Sequence, residues 1–191
     1  MDRHEILLHA ALKVLEEDGE ARFSTRRICT IANVTAPTLY HHYGSADGLL
    51  SAAIAEAFAQ FLESKKAATR STDPVTALRE GWDDYVRFAA ARPRLYAIMM
   101  RRVLDGADIP AAEQAFALLI ERLTAIGAMG RLSPPVQAAA DLMWASANAA
   151  SLLYVTARLR KTPPPSPAVL ERIREDAVRS ILVPETKGRE Q

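Results

Sequence analysis

The chain is short of the residues from which chemical centres are usually built. Its 191 residues hold a single cysteine, Cys29, so no internal disulfide can form, and a reducing cytoplasm is the expected compartment. All four histidines fall within the first 42 residues, and no Ser-His-Asp or Cys-His set can be argued from their spacing. The 8 glycines are scattered, with no phosphate-cradling loop among them. There is no run of alternating β-branched residues, so no strand is expected. The longest uncharged apolar stretch, Leu142 to Ala157, is shorter than a membrane span and contains Ser146, Asn148, Ser151 and Thr156, which makes it a buried helix instead. Acidic residues at Asp2, Glu5, Glu16, Glu17 and Asp18 interrupt the first apolar segment and argue against a secretory leader. These gaps point away from an enzyme, a metalloprotein and a membrane protein, and no cofactor is expected.

What remains is helix. Hydrophobic residues make up 49% and charged residues 25%, ordinary for a globular chain long enough to fold without a disulfide or metal. Ile6, Leu7, Ala10, Ala11, Val14 and Leu15 form one apolar stripe, and Gly19 supplies a stop. Ser24 is placed to cap a short second helix carrying Ile28, Ile31 and Ala32. After the turn Asn33-Val34-Thr35, Thr35 is placed to cap a third helix with Pro37 in its first turn. Gly44-Ser45 breaks it, and Ser45 caps a fourth helix with Leu49, Leu50, Ala53, Ala57, Phe58, Phe61 and Leu62 inward. The chain turns polar after Lys65-Lys66. Further helices are predicted from about Pro74 to Ala91, Arg92-Pro93 to Leu104, Pro110 to Gly127, and after a loop to about Arg160. The proline-rich segment Lys161 to Pro167 reads as a stiff linker rather than a recognition motif. A last helix carries Val169, Ile173, Ala177 and Ile181. The expectation is an all-α chain of about nine helices: a three-helix headpiece over residues 1–47, a larger helical domain over 48–183, and a frayed tail over 184–191.

Two short helices joined by a three-residue turn make a helix-turn-helix unit. Its second helix bears Thr38, Tyr40, His41 and His42, all able to hydrogen-bond to phosphates or base edges, and none negative. The formal net charge is only +1, yet no acidic residue occurs from Ala21 through Ala46, where Arg22, Arg26 and Arg27 lie. A local basic patch on a near-neutral chain fits sequence-specific DNA binding. His41 and His42 are poor metal ligands, because helix neighbours point about 100° apart. Cys29 reads as a small core residue rather than a redox sensor.

The stretch Ile31-Ala32-Asn33-Val34-Thr35-Ala36-Pro37-Thr38-Leu39-Tyr40-His41-His42-Tyr43, with Ser45, Asp47 and Leu49 after it, resembles the signature of the tetracycline-repressor (TetR) family. So does the upstream order of an Ile-Leu-Ala-Ala helix, a Gly, a Phe-Ser-Thr segment and an Ile-containing helix. The resemblance covers roughly residues 3 to 55 and implies a DNA-binding headpiece on a helical ligand-binding domain that dimerises through its last two helices. It places Thr25 and Arg26 at the DNA backbone, Thr35, Ala36, Pro37 and Thr38 at the opening of the reading helix, and Tyr40 and His41 against phosphates or bases. His42 and Tyr43 close the pattern as packing. Two positions depart from it. Asn33 stands where the family usually has Gly, and Asn tolerates left-handed backbone better than other non-Gly residues. Ala46 stands where the family usually has a phosphate-gripping Lys, although the helix N-terminus there keeps free N–H groups.

Further along, Tyr85-Val86-Arg87-Phe88-Ala89, then Arg92-Pro93, Leu95-Tyr96 and Met99, resembles a run in one branch of the family, and Trp144 followed by Asn148-Ala149 partly matches another. Candidate pocket residues combine bulk, softness and sparse polarity: Trp82, Tyr85, Tyr96, Met99 and Met100, with Leu119, Leu123, Met143, Trp144 and Asn148. Asn148 stands out, because a polar side chain in an apolar helix needs a partner if buried. Few charges lie on these faces, so an apolar or aromatic small molecule is the expected ligand. Leu152, Leu153, Thr156 and Leu159 on the long helix, with Ile173, Ala177 and Ile181 on the last, are the expected homodimer contacts. The expected partner is a palindromic double-stranded DNA operator, and the expected role a repressor released by ligand. An activator, a helical enzyme, or a binding module whose headpiece no longer reads DNA are the competing readings.

Overall fold

The computed structural model describes residues 2–68 and 71–184, with side chains described only as far as residue 67 in the first segment. Among the described residues there are nine α-helices and one 3-10 turn: α1 (Arg3–Glu17), the 3-10 turn Glu20–Arg22, α2 (Thr25–Ala32), α3 (Ala36–Tyr43), α4 (Ala46–Ala68), α5 (Pro74–Ala91), α6 (Pro93–Leu104), α7 (Pro110–Ala128), α8 (Val136–Arg160) and α9 (Pro167–Ile181). No strand forms there; a lone antiparallel bridge pairs Leu132 with Leu182. Of the expected tail, residues 185–191 lie outside the described residues.

Local chemistry explains most helix starts. Asp2 and Glu5 close a capping box on α1, Ser24 Oγ accepts from Arg27 N, Ser45 Oγ accepts from Gly48 N at 2.9 Å, and Asp73 accepts from Thr76 N. Proline opens α5, α6, α7 and α9, where its missing N–H leaves no bond unmade. Thr35 departs from expectation: it occupies the cap position of α3, but its hydroxyl lies 3.0 Å from that of Thr38 and bonds no backbone N–H.

α1 packs on α2, α4 and α6, while α5 lies at the centre of the larger part, against α4, α6, α7, α8 and α9. The headpiece core does not stop at α3. Leu7, Ala11, Ile28, Leu39 and Leu49 share one buried cluster with Phe58 and Phe61 of α4 and with Leu95 and Ile98 of α6. Ion pairs reinforce that join, with Arg92 reaching Glu16 at 3.3 Å and Arg102 reaching Glu20 at 3.3 Å. A second cluster holds α5, α7, α8 and α9 around Trp82, Leu123, Met143 and Ile181.

The register of α9 corrects one expectation. Ile181, placed above in a dimer interface, has 0% exposure and is spent inside its own chain; Ile173 and Ala177 turn the same way and are half-buried against the same cluster. α9 is clamped to α5 by Arg174–Asp83 at 2.7 Å and Arg79–Glu175 at 2.9 Å. The i, i+4, i+8 stripe was real, but it covers α5 and α8. Val169, counted on that stripe, is exposed, and Leu170 is buried in its place.

The α3–α4 corner depends on one glycine. A Cβ at Gly48 would stand 2.2 Å from the backbone oxygen of Tyr43. Gly48→Ala is therefore expected to force the corner open and cost about 1–3 kcal/mol, the usual range for overpacking. A lower urea midpoint at unchanged slope is the predicted reading; an unchanged midpoint would mean the corner has room.

Candidate nucleic-acid interface and ligand pocket

The headpiece holds its reading helix by a few contacts on one side. Leu39 is fully buried beneath α3, and Tyr43 donates to the His4 carbonyl at 2.8 Å while stacking on the His4 ring at 4.7 Å between centroids. Burial, reinforced by Asp2, pushes the Tyr43 phenol up to about 12, so it stays a neutral donor. The opposite side is open. Thr35, Pro37, Tyr40 and His41 are exposed, Tyr40 to 48%, and Ala36 and Thr38 are half-exposed beside them. Thr25 and Arg26 stand on α2 along a shallow crevice that also includes Asn33, Val34 and Ala36. The structure thus brings Thr25, Arg26 and Ala36 to one crevice and joins Thr35 to Thr38 by their hydroxyls, with Pro37, Tyr40 and His41 exposed on the same helix. His42 is also exposed, its ring 5.3 Å from that of His41.

The two departures from the family pattern have clear consequences. Asn33 adopts φ 52° and ψ 47°, the left-handed geometry usually left to glycine, and the turn closes. Ala46 begins α4 without an ammonium group; Ser45 occupies the Gly48 N–H. Arg26 and Arg27 are both exposed, and Arg27 is tied to Asp18, its Nε donating at 2.7 Å.

Below the headpiece a cavity of about 540 Å³ opens between α4, α5, α6, α7 and α8. Trp82, Tyr85, Tyr96, Met99 and Met100 line it, as do Leu119, Met143 and Trp144. Leu123 does not, being wholly buried in the core. Asn148 stands behind the wall instead of facing the cavity. Its Oδ1 accepts from the hydroxyls of Tyr85 at 2.8 Å and Tyr96 at 2.7 Å, and its Nδ2 donates to the Trp144 carbonyl at 2.8 Å. A polar residue in an apolar helix thus finds its partners, and those partners, not the asparagine, meet the cavity. Burial raises both phenol pKa values, Tyr85 well above its ordinary range.

Among the lining residues outside the pocket candidates expected from sequence are two cations, Lys65 and Arg122. Lys65 follows Ile54, Phe58 and Phe61 at helical spacing, so its stem continues the buried face of α4; that spacing was the available signal. Its ammonium donates to the Gly81 carbonyl at 3.1 Å and sits 5.5 and 5.3 Å from the ring centroids of Phe61 and Tyr85. Burial, with Arg122 nearby, brings its pKa down to about 8. The unfolded chain, with an ordinary lysine near 10.5, binds more protons between these values, so folding gains stability as pH rises through that window. By pH 10 the gain is roughly 2 kcal/mol. Urea unfolding at pH 8 and pH 10 should show it in the wild type and not in Lys65→Met; equal pH slopes would contradict the burial of a charged lysine.

The geometry defines a class: a helix-turn-helix headpiece whose reading face is free, joined through one long helix to a helical body with an apolar cavity. Residues 7–53 match the family model described as bacterial regulatory proteins, tetR family. The headpiece is that of the tetR family, and the whole described chain has the fold of its regulators. A protein of unknown function from Rhodococcus sp. RHA1 superposes with TM-score 0.83 at 20% identity, covering 96% of this chain and 97% of that one. A tetR-family transcription regulator from Marinobacter aquaeolei VT8 superposes with TM-score 0.73 at 18% identity, over 95% and 96% of the two chains. The multidrug binding protein EbrR, solved with imidazole, gives TM-score 0.62 at 22% identity over 96% and 95%. No curated protein matches the chain. No helix among the described residues is long and apolar enough to cross a membrane.

Proposed function

We propose that this chain is a cytoplasmic, homodimeric transcriptional repressor that binds a palindromic operator and releases it when a small apolar or aromatic molecule enters the cavity. In this reading residues 1–47 recognise DNA and residues 48–183 bind the ligand and dimerise; the protein is not an enzyme. The observation that carries it is the course of α4. Leu49 and Ala53 of this helix are buried under the headpiece, and Phe58, Phe61 and Lys65 of the same helix line the cavity. A ligand that favours one tilt of α4 therefore acts on the spacing of the readers, and its affinity difference between the two arrangements sets how far the population shifts.

The exposed face of α8 supports a twofold dimer. Ala138, Leu142, Ala145, Ala149, Leu152, Thr156 and Leu159 alternate steps of four and three along it, a seam of small and branched residues suited to close helix pairing. Leu142, Leu152 and Leu159 are 46%, 61% and 44% exposed in the single chain, with Leu153 beside them. An apolar strip of this length on one helix calls for a partner, and a second copy meets it with the same strip. Such a dimer would set its reading helices about 34–36 Å apart, one turn of DNA.

The test is titration of labelled duplexes from the region flanking the gene at two salt concentrations, against a scrambled duplex. Tight binding to one palindromic duplex is expected, with Tyr40→Ala and His41→Ala each weakening it by about tenfold or more. Arg26→Ala should flatten the salt dependence by about one unit. Uniformly weak binding to every duplex would overturn the reading. In sedimentation, Leu152→Glu should convert a dimer to a monomer and cost operator affinity; a wild type that sediments as a monomer would remove the dimer.

A further inference from the structure

The cavity is apolar on most of its wall, but one end of it is cationic. Lys65 is buried yet lines the cavity, and among the described residues its one hydrogen bond goes to the Gly81 carbonyl. The nearby acid, Asp84, is engaged elsewhere: it accepts from Ser64 at 3.0 Å and pairs with Arg87 at 3.6 Å. No carboxylate among the described residues lies within ion-pair distance of Lys65. Arg122 joins it from α7, with Nη2 donating to the Lys65 carbonyl at 3.3 Å and Nη1 lodged over Gly81, where a Cβ would meet it at 2.0 Å. The acidic lining residues, Glu113 and Asp141, are exposed ones.

A buried ammonium without a directly paired anion is costly; Asp84 nearby offsets part of that cost, and a second cation, Arg122, adds to it. Burial and Arg122 lower the Lys65 pKa only to about 8, so the group still carries its charge at neutral pH. An anion brought into the cavity would meet two N–H donors of the ammonium that no carbonyl occupies, and would gain a desolvated charge-assisted bond. Much of the remaining wall, including Phe58, Phe61, Trp82, Phe88 and Met99, is apolar and suits an apolar body. The volume, about 540 Å³, lies in the range of sites for small organic ligands.

Taking the cavity as the ligand site, we propose that it accepts a monoanionic apolar acid, an aromatic or acyl carboxylate, with the carboxylate on Lys65 Nζ and the apolar body among the aromatic rings of α4 and α5. Lys65 is then the residue that selects acids over their neutral counterparts.

Calorimetric titration of the full chain at pH 7 tests this with two matched pairs: naphthalene-2-carboxylate against naphthalene-2-carboxamide, and decanoate against decanamide. In the wild type at least one acid should bind tenfold or more tighter than its amide. Lys65→Met and Lys65→Gln should each abolish that preference. The proposal is overturned if the amides bind as tightly as the acids, if neither acid binds below millimolar concentration, or if the preference survives in both variants. The wild-type comparison stands even if a variant fails to fold. No DNA is present, so failure of operator binding and failure of acid selection are read separately.

Discussion

The structure depends on the burial of one continuous face of α4. Leu49, Ala53, Ala57, Phe58, Phe61 and Lys65 lie along it, and none of them is solvent-exposed. The first half of this face completes the headpiece core, where Leu49 and Ala53 share one buried cluster with Ile28 and Leu39. Its second half walls the cavity. A helix packed at both ends by interlocking side chains moves as a unit, because close-packed interiors transmit displacement instead of absorbing it. Further contacts of the headpiece with the body run through α6 and the residue before it, where Leu95 and Ile98 share the core cluster of α1, Arg92 holds Glu16 and Arg102 holds Glu20. Both routes border the cavity, since α6 also contributes Tyr96, Met99 and Met100 to its wall.

The polar groups inside this body have distinct tasks. Asn148 holds two phenols and faces no ligand itself. Trp82 is held likewise, its indole N–H donating to Ser146 at 2.9 Å. These bonds fix the rotamers of three aromatic walls from behind, which is how an apolar cavity keeps a defined shape. Lys65 and Arg122 are different: they tie α4, α5 and α7 together through the Gly81 and Lys65 carbonyls, and at the same time they bring charge to the cavity.

Much of the architecture was legible from local chemistry. Proline at the first turn of α5, α6 and α7, together with Ser24 and Ser45, marked helix starts within a residue, whereas Pro167, which reads as the end of the linker, opens α9. Asn33 was readable because few residues accept a left-handed backbone, and Tyr43 reads as packing rather than readout. What local pattern cannot say is which partner a stripe covers. Ile181 lay on a sound helical stripe, but only the tertiary placement of α9 on α5 shows that the stripe is filled from within. Asn148 was rightly singled out as needing a partner, yet the rotation that turns it toward Tyr85 and Tyr96 is a property of the assembled bundle. Lys65 escaped because periodicity is counted on apolar residue types, and a lysine stem that continues such a face is invisible to the count. The 3-10 turn at Glu20–Arg22 carried no pattern of its own.

The central claim is that DNA contact and cavity are joined through α4, and backbone hydrogen exchange on the operator-bound and free protein tests it most directly. Coupling between sites is reciprocal, so DNA must alter the cavity if the cavity alters DNA binding. The account predicts that the operator duplex changes protection in α3 and the start of α4, and also along residues 58–65 and in the α5 and α6 segments that wall the cavity. Changes confined to residues 25–50, with the rest of α4 and the cavity wall unaltered, would contradict it.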